Sequence, residues 1–394
     1  MSDTAIAAVA AVAEPEELDD FRAHVREFVA REVVPHHAEW EHVGIVPRDF
    51  WRKAGDAGLL GLGLSETDGG PGMDDFRFNA IVIDELSRVG ATGPGAGFSV
   101  HNDVCVPYYA ALANDEQSAR WVPGLTSGEL IAAIAMTEPG TGSDLRAIRT
   151  TATPTAGGWR VNGSKMFITN GINADLVITA VRTDPAVGRG VSLLVIERGM
   201  PGFERGTPLK KIGLRAQDTA ELSFTDVEVP RANLLGEEGA ALGYMTHTLV
   251  QERLAIAVQA VAATEGALAE TLEYAKQRQA FGAPIGTFQY NAFTLAECAT
   301  DVKAARIFLD WALGEHVRDT LSPDAAAMVK LHTTEMQQKV LNRCLQLHGG
   351  YGFMEEYAVA RAWTDARVQT IYGGTSEMMK LIISRSLGLD APRA

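Results

Sequence analysis

The hydrophobic pattern of this chain changes its period twice, and that order limits the possible folds more than any single motif does. Apolar residues recur at helical spacing over residues 15–129, at a spacing near two over 130–238, and at helical spacing again over 239–394. Asn, Gly, Pro and Asp cluster between the short apolar runs of the middle stretch, which is typical of a small antiparallel barrel or sandwich. We therefore predict an α+β chain of three domains: an N-terminal helical domain, a middle β domain and a C-terminal four-helix bundle.

Local signals refine the first two domains. Residues 51–60 continue an apolar helix that the pattern ends at Gly61. The glycine-rich residues 90–97 are predicted to lead into a helix that starts near Val100. They are not a dinucleotide fingerprint, because their glycines lack the required spacing and no strand precedes them. In the middle domain, Asn162–Gly163 is a strong signal for a two-residue hairpin turn.

The C-terminal domain is predicted to contain four long helices and a shorter terminal one. Within it, Leu254–Thr264 carries no charged residue on any face, and a helix of this kind is normally buried. Residues that favour turns divide the apolar pattern at three places. These breaks are Gly282–Pro284, Leu321–Pro323 and Gly349–Gly350.

Composition excludes several kinds of partner. The 394 residues carry a net charge of −15, whereas a nucleic-acid partner needs a basic surface.

The three cysteines are far apart, so we interpret them as reduced thiols of a cytoplasmic protein, and no spacing predicts a metal site. No apolar run approaches the ~20 residues of a membrane span. Residues 1–14 imitate the apolar core of a signal peptide, but the first basic residue is Arg22, so we predict a disordered tail.

Glu252 stands at the edge of the uncharged helical stretch. At helical spacing it shares a face with Ile256 and Ala263, so little water should reach it. Burial raises a carboxyl pKa from about 4.3, which suits a general base for a weakly acidic C–H proton. Arg253 projects about 100° away round the helix and need not neutralise the carboxylate. The pattern alone favours the alternative, in which Glu252 and Arg253 form an exposed polar pair where the buried part ends.

The segment 371–376 reads Ile-Tyr-Gly-Gly-Thr-Ser. Gly373 and Gly374 permit positive φ and a close approach of the backbone to a ligand. Thr375 or Ser376 can cap the helix that follows, whose free N–H groups favour an anion or the polar edge of a cofactor. Local sequence alone favours an ordinary turn into a terminal helix.

Two stretches of the middle domain combine strand residues with polar loops. Residues 135–144 run from a strand into a loop that can present N–H groups and hydroxyls to a flat polar ligand. Residues 159–171 include Phe167, whose ring can pack against an aromatic ligand. The alternatives are a strand-ending turn for the first stretch and an ordinary core aromatic for Phe167.

These stretches, with residues 35–40 and 93–99, resemble the acyl-CoA dehydrogenase family over nearly the whole chain, and the match looks closest to its long-chain members. Most of that family carries a catalytic glutamate where Gly373 stands. Long-chain and isovaleryl-type members use a glutamate that matches Glu252, so positions 252 and 373 both resemble this subset of the family. The resemblance implies FAD-dependent α,β-dehydrogenation of a long-chain acyl-CoA thioester to trans-2-enoyl-CoA, with Glu252 as general base and the Gly373 N–H as a donor to the thioester oxygen.

The same resemblance implies the binding residues and partners. The dinucleotide half of FAD is bound across a subunit interface, which implies a homotetramer arranged as a dimer of dimers, with an electron-transferring flavoprotein as electron acceptor. The implied substrate residues are Ser143, Arg253, Tyr372, Gly373 and Gly374. The implied FAD residues are Met136, Thr137, Ser143, Phe167, Ile168, Thr169, Arg278, Phe281, Gln289, Gln346, Gly349, Gly350, Thr375 and Glu377.

Two other functions remain open at this point. The first is a flavin oxidase or monooxygenase on the same fold, which would consume oxygen rapidly with its substrate. The second is a catalytically silent scaffold, because segment 371–376 lacks the usual base. Glu252 is the feature that argues against the scaffold.

Overall fold

The computed structural model describes residues 14–184 and 190–389, and its elements follow the predicted order of helices, strands and helices. The tail predicted over residues 1–14 lies outside the described residues except for Glu14, which immediately precedes the first helix. Within the described ranges, no helix is both long and apolar enough to cross a membrane.

Short helices form the N-terminal block and pack around an apolar core. They are α1 (Pro15–Phe28), α2 (His37–Val43), α3 (Arg48–Asp56), α4 (Phe76–Arg88), α5 (Thr92–Ser99), α6 (Val106–Leu112) and α7 (Asp115–Ser127). Phe21, Trp51 and Phe98 come from three of these helices and meet in the core. Two π-helical turns, Val29–Val33 and Val100–Cys105, follow α1 and α5.

Two predictions for this block are wrong. The helix expected over residues 51–60 ends at Asp56, because the chain turns at a left-handed glycine two residues later. The glycine-rich residues 90–97 do not simply lead into a helix, since most of them form α5. Small residues are needed there because α5 lies close to the middle block: a Cβ added to Gly97 would stand 2.8 Å from Oδ1 of Asn170.

The middle block is one mixed sheet. Its strands are β1 (Ala132–Ala135), β2 (Thr151–Pro154), β3 (Gly158–Thr169), β4 (Leu176–Asp184), β5 (Gly190–Glu197), β6 (Phe203–Arg205), β7 (Thr219–Pro230) and β8 (Leu234–Leu235). In the described residues the order is β6-β7-β3-β2-β4-β5-β8, with β1 beside β4. The pairs β1–β4 and β2–β4 are parallel and the others are antiparallel. The sheet is therefore mostly, but not wholly, antiparallel.

The hairpin predicted at Asn162–Gly163 is also wrong. Residues on both sides of this pair belong to one strand, β3, and both halves of that strand pair with β7. The register shifts between Val161 and Gly163, where Asn162 of β3 faces both Thr225 and Asp226, so the extra residue of this bulge lies in β7. Gly163 has φ of 146°, and a Cβ there would stand 2.7 Å from Oγ1 of Thr150. The glycine is thus needed for a close approach of strands and not for a chain reversal.

The C-terminal block is helical and is divided at the three predicted breaks. Its helices are α8 (Ala241–Gln277), α9 (Gln289–Val317), α10 (Pro323–His348), α11 (Ala358–Ala366) and α12 (Ser376–Ser386), with short strands β9 (Gln279–Ala280) and β10 (Ala283–Pro284) after α8. Three of the described helices are long and two are short, whereas four long helices were expected. Phe76 and Ile83 of α4 join the apolar core of this block together with Leu254 and Val258 of α8, so the first block packs directly against the last.

At Gly266, α8 passes very close to the end of α4. A Cβ added there would stand 2.1 Å from the carbonyl oxygen of Arg88. Gly266→Ala should therefore lower the free energy of unfolding by about 1–3 kcal/mol, because the methyl group forces the two helices apart. The midpoint of thermal unfolding, followed by circular dichroism, measures this effect.

Gly243→Ala is the matched control on the same helix. No atom lies within 4 Å of the Cβ added at Gly243, so its unfolding midpoint should stay near that of the wild type. Equal midpoints for the two variants would contradict the close contact at Gly266.

Candidate active site

Glu252 is buried on α8, with 7% of its surface exposed. The uncharged stretch that follows packs into the core through residues such as Leu254 and Val258. Burial raises the pKa of the Glu252 carboxyl from its ordinary 4.5 to about 7, and the Thr248 hydroxyl and the Arg253 charge offset only part of that rise. The exposed polar pair considered from the sequence is therefore wrong.

The N-terminal block reaches this carboxyl through Tyr108. Oγ1 of Thr248, one helical turn before Glu252, donates to the Tyr108 hydroxyl oxygen at 2.7 Å and lies 3.4 Å from Oε1 of Glu252. The Glu252 charge adds to burial in raising the pKa of Tyr108 and of Cys105, which shows that both groups lie near the carboxylate. Sequence reasoning missed Thr248 and Tyr108. The spacing of four residues could have indicated Thr248, but nothing local points to Tyr108.

The segment 371–375, here called the closing loop, lies against the same helix. Gly373 and Gly374 have φ of 58° and 92°, in the left-handed region that glycine tolerates. A Cβ added to Gly373 would stand 2.2 Å from Cδ1 of Ile256, which is one helical turn beyond Glu252. The fold therefore brings together two sequence features that are more than 100 residues apart.

Side chains hold both ends of the closing loop. The Tyr372 hydroxyl donates to Oε1 of Gln259 on α8 at 2.8 Å. Thr375 caps α12, since its Oγ1 accepts from the Met378 N–H at 3.2 Å. Glu377 lies exposed in the first turn of α12. The Gly373 N–H donates to no other described residue, so it is available to a ligand.

Arg253 is a buried cation beside the closing loop. It is 6% exposed, and its Nε has no hydrogen-bond partner among the described residues. Burial lowers the pKa of its guanidinium, whereas the charge of Glu252 raises it. Within the described ranges no ion pair shorter than 4.0 Å joins Arg253 to Glu252. Its charge therefore stays available to a polar group that enters the site.

The predicted cofactor residues of the middle block lie along β1 and β3. Met136 and Thr137 follow β1 half-buried, and the Thr137 carbonyl accepts from the Met166 N–H at 2.9 Å. Ser143 is exposed in the loop beyond, and Thr169 is half-buried at the end of β3. The Ile168 side chain belongs to the core of the sheet, and its carbonyl oxygen accepts from the Gly171 N–H at 3.1 Å.

Phe167 does not have the position of a core aromatic. Its side chain is 67% exposed and its φ is 61°, which is uncommon for a residue other than glycine. A large apolar ring held outward by an unfavourable backbone conformation is a candidate contact for a flat ligand.

The remaining predicted cofactor residues form a second cluster, at the far ends of α8 and α10. Tyr274 of α8 stacks on His348 of α10 with ring centroids 4.1 Å apart, and the Arg278 guanidinium lies 5.4 Å from the Tyr351 ring. Phe281 is fully exposed with φ of 51°. The other members, Gln289, Gln346, Gly349 and Gly350, are exposed as well. This cluster is open to solvent, in contrast to the surroundings of Glu252.

Residues 14–184 and 190–389 contain no group of three or more His, Cys, Asp or Glu side chains suited to a metal ion. The three cysteines are free and buried. The chemistry available at Glu252 is therefore that of a buried base, a nearby backbone donor and a buried guanidinium.

Three family models match the chain in succession. They are the acyl-CoA dehydrogenase N-terminal domain at residues 15–129, the middle domain at 133–227 and the C-terminal domain at 241–388. Among curated proteins, the long-chain specific acyl-CoA dehydrogenase, mitochondrial, of Sus scrofa is 48% identical over 377 residues, which cover 95% of this chain and 87% of that protein.

Solved structures agree with this assignment. The acyl-CoA dehydrogenase from Geobacillus kaustophilus matches with a TM-score of 0.93 and 47% identity, covering 96% of this chain and 99% of that one. A glutaryl-CoA dehydrogenase from Mycobacterium smegmatis, solved in complex with FADH2, matches with a TM-score of 0.89 and 27% identity, covering 96% of this chain and 97% of that one. With three domain models in order and close relatives over nearly its whole length, this chain belongs to the acyl-CoA dehydrogenase family of oxidoreductases.

Proposed function

We propose that this protein catalyses the α,β-dehydrogenation of acyl-CoA thioesters to trans-2-enoyl-CoA, with FAD as cofactor and Glu252 as the general base. The observation that carries the proposal is a buried carboxyl with a raised pKa, one helical turn from the residue that the closing loop contacts. A base of this kind is needed because the α-C–H of a thioester is a very weak acid. A carboxyl with a pKa near the working pH combines a useful ionised fraction with adequate basicity.

The closing loop supplies the complementary donor. Negative charge develops on the thioester oxygen as the α-proton leaves, and a donor placed in advance stabilises it. The Gly373 N–H is unoccupied by other described residues, and a side chain at this position would collide with Ile256. Glu252 then removes the proton while Gly373 holds the carbonyl oxygen, and Arg253 and Tyr372 line the pocket around the thioester.

The residues present suit FAD. Bound FAD supplies the acceptor for the hydride that leaves the β-carbon. Phe167 offers an outward ring to the flavin, and the half-buried Met136, Thr137 and Thr169 offer backbone and hydroxyl groups beside it. We assign Ser143, Ile168, Thr375 and Glu377 to the same cofactor, because the free N-terminal N–H groups of α12 suit a polar cofactor edge. The M. smegmatis relative in complex with FADH2 supports this cofactor.

The second exposed cluster supports an assembly in which one subunit completes the site of another. Arg278, Phe281, Gln289, Gln346 and Gly349–Gly350 lie open to solvent, so they are free to bind the dinucleotide half of FAD held by a neighbouring subunit. Large apolar residues on α9, including Tyr290, Phe293, Ile307 and Trp311, are also exposed. Exposed apolar surface of this kind marks an interaction site, and we infer a homotetramer arranged as a dimer of dimers.

Substrate length, electron acceptor and compartment are further parts of the proposal. The first curated relative is named for long-chain substrates, which supports a long acyl chain and the first step of fatty acid β-oxidation. Reduced flavin needs an acceptor, for which we propose an electron-transferring flavoprotein. Free, buried cysteines support a reducing compartment such as the cytoplasm.

Glu252→Gln should lower the rate of flavin reduction by about 10²–10⁴-fold, because the amide keeps the shape of the side chain but cannot accept the proton. Anaerobic stopped-flow mixing of the holoenzyme with palmitoyl-CoA, followed by the loss of flavin absorbance, measures that rate. FAD content should stay at the wild-type level.

Glu270→Gln is the matched control, because Glu270 lies exposed on the same helix. Its rate should equal that of the wild type. Reduction of the Glu252→Gln flavin at the wild-type rate would refute the assignment of the base.

The rate should also depend on pH through Glu252. Only the ionised carboxylate accepts the proton, so kcat/KM should fall about tenfold for each pH unit below the pKa and level off above it. The expected midpoint is about pH 7, where an ordinary glutamate would give a midpoint near 4.5. A profile measured from pH 5.5 to 8.5 tests this, and a flat profile down to pH 5.5 would contradict a buried base.

A further inference from the structure

Lys330 is a buried cation on α10 that the proposed reaction has not used. Its side chain has no exposed surface, and Nζ donates to the carbonyl oxygen of Gly374 at 2.7 Å. Among the described lysines, only Lys165 is buried to the same extent. Lys165 pairs with Glu138 at 2.9 Å, whereas no described carboxylate lies within 4.0 Å of Lys330. The main partner of this ammonium is therefore the backbone of the closing loop.

The buried position of the Lys330 ammonium destabilises the folded state. Burial first, and then the charge of Arg253, lower the pKa of this ammonium to about 8, while the charge of Glu377 acts in the opposite direction. A buried charge without a carboxylate partner destabilises a fold unless hydrogen bonds compensate for the lost water. Neither an ion pair nor solubility accounts for a lysine at this position, so its contact with Gly374 is the feature to explain.

The hydrogen bond from Lys330 to the Gly374 carbonyl holds one side of the glycine pair in the closing loop. Gly373 and Gly374 are adjacent glycines, which restrict backbone dihedrals less than any other residue. On one side of them Tyr372 is held to Gln259, and on the other the Gly374 carbonyl is held by Lys330. The Gly373 N–H lies between these two anchors. If the Lys330 contact were removed, the Gly374 carbonyl would lose its side-chain partner, and the two left-handed glycines would be held only by Tyr372 and by the Thr375 cap of α12.

We propose that Lys330 is a positioning residue: its hydrogen bond to the Gly374 carbonyl holds the closing loop so that the Gly373 N–H faces the thioester oxygen. This inference rests on the proposed function for its catalytic consequence, but the ordering of the loop is a separate, measurable property. Lys330 itself does not touch the reacting atoms in this account.

The test uses the holoenzyme and the variants Lys330→Met and Lys330→Arg. Methionine fills a similar volume without a donor. The limiting rate of flavin reduction by palmitoyl-CoA should therefore fall about 10–100-fold, because the Gly373 N–H would no longer be held in position. The apparent Kd of palmitoyl-CoA and the FAD content should change less than about threefold, since Lys330 contacts neither in this account. Arginine keeps a charged donor and should restore part of the rate.

Thr333→Val is the matched control. Thr333 is buried on the same helix, and its hydroxyl donates only within α10, to the Val329 and Lys330 carbonyls. This variant removes a buried polar group without touching the closing loop, so its limiting rate should stay near that of the wild type. Should Lys330→Met not fold, Lys330→Gln replaces it, because its shorter side chain cannot reach Gly374.

Hydrogen exchange measured by mass spectrometry separates this inference from the proposed function. Without substrate, the peptide containing residues 371–376 should exchange faster in Lys330→Met than in the wild type or in Thr333→Val. If palmitoyl-CoA fails to reduce the wild-type flavin, the proposed function fails, but the exchange comparison still decides the role of Lys330 in the loop. Unchanged exchange, or a Lys330→Met rate within twofold of the wild type, would overturn the proposal.

Discussion

The site of this protein depends on keeping one carboxyl group away from water. Glu252 lies at the start of a helical stretch without charges and is buried, with Thr248 and Tyr108 close to its carboxyl. Since the ionised form loses its hydration there, its pKa rises to about 7. The same burial that destabilises the charge provides the basicity that the proposed proton removal requires. A more exposed glutamate would destabilise the folded state less, but it would also be a weaker base.

The architecture provides this environment by placing α8 between the other elements. The N-terminal block contributes α4 to the core beside α8 and Tyr108 to the surroundings of Glu252. The closing loop covers the helix one turn further along, with its glycine backbone against Ile256. Two buried cations, Arg253 and Lys330, flank this region without a close carboxylate in the described residues. Positive charge is thus concentrated where the proposed reaction develops negative charge.

Glycines show why local signals predicted some elements and missed others. Asn162–Gly163 favours a hairpin only where the flanking segments pair with each other, yet both halves of β3 pair with β7, and the glycine allows β3 to pass close to Thr150. Residues 90–97 were expected to precede a helix that starts near Val100. They form α5 because tertiary packing against the middle block needs residues without side chains. In both cases the deciding contact comes from a distant part of the chain.

The sequence by itself determined the order of the three blocks, the breaks between the C-terminal helices and the buried character of Leu254–Thr264, because hydrophobic period and turn residues report local conformation directly. It also singled out Glu252 and the glycines of the closing loop as candidates. Only the tertiary structure decided that Glu252 is buried rather than exposed, that the closing loop lies on its helix, and that Tyr108, Thr248 and Lys330 belong to the same region. Burial and pKa depend on distances between residues far apart in the chain, and periodicity carries no information about those distances.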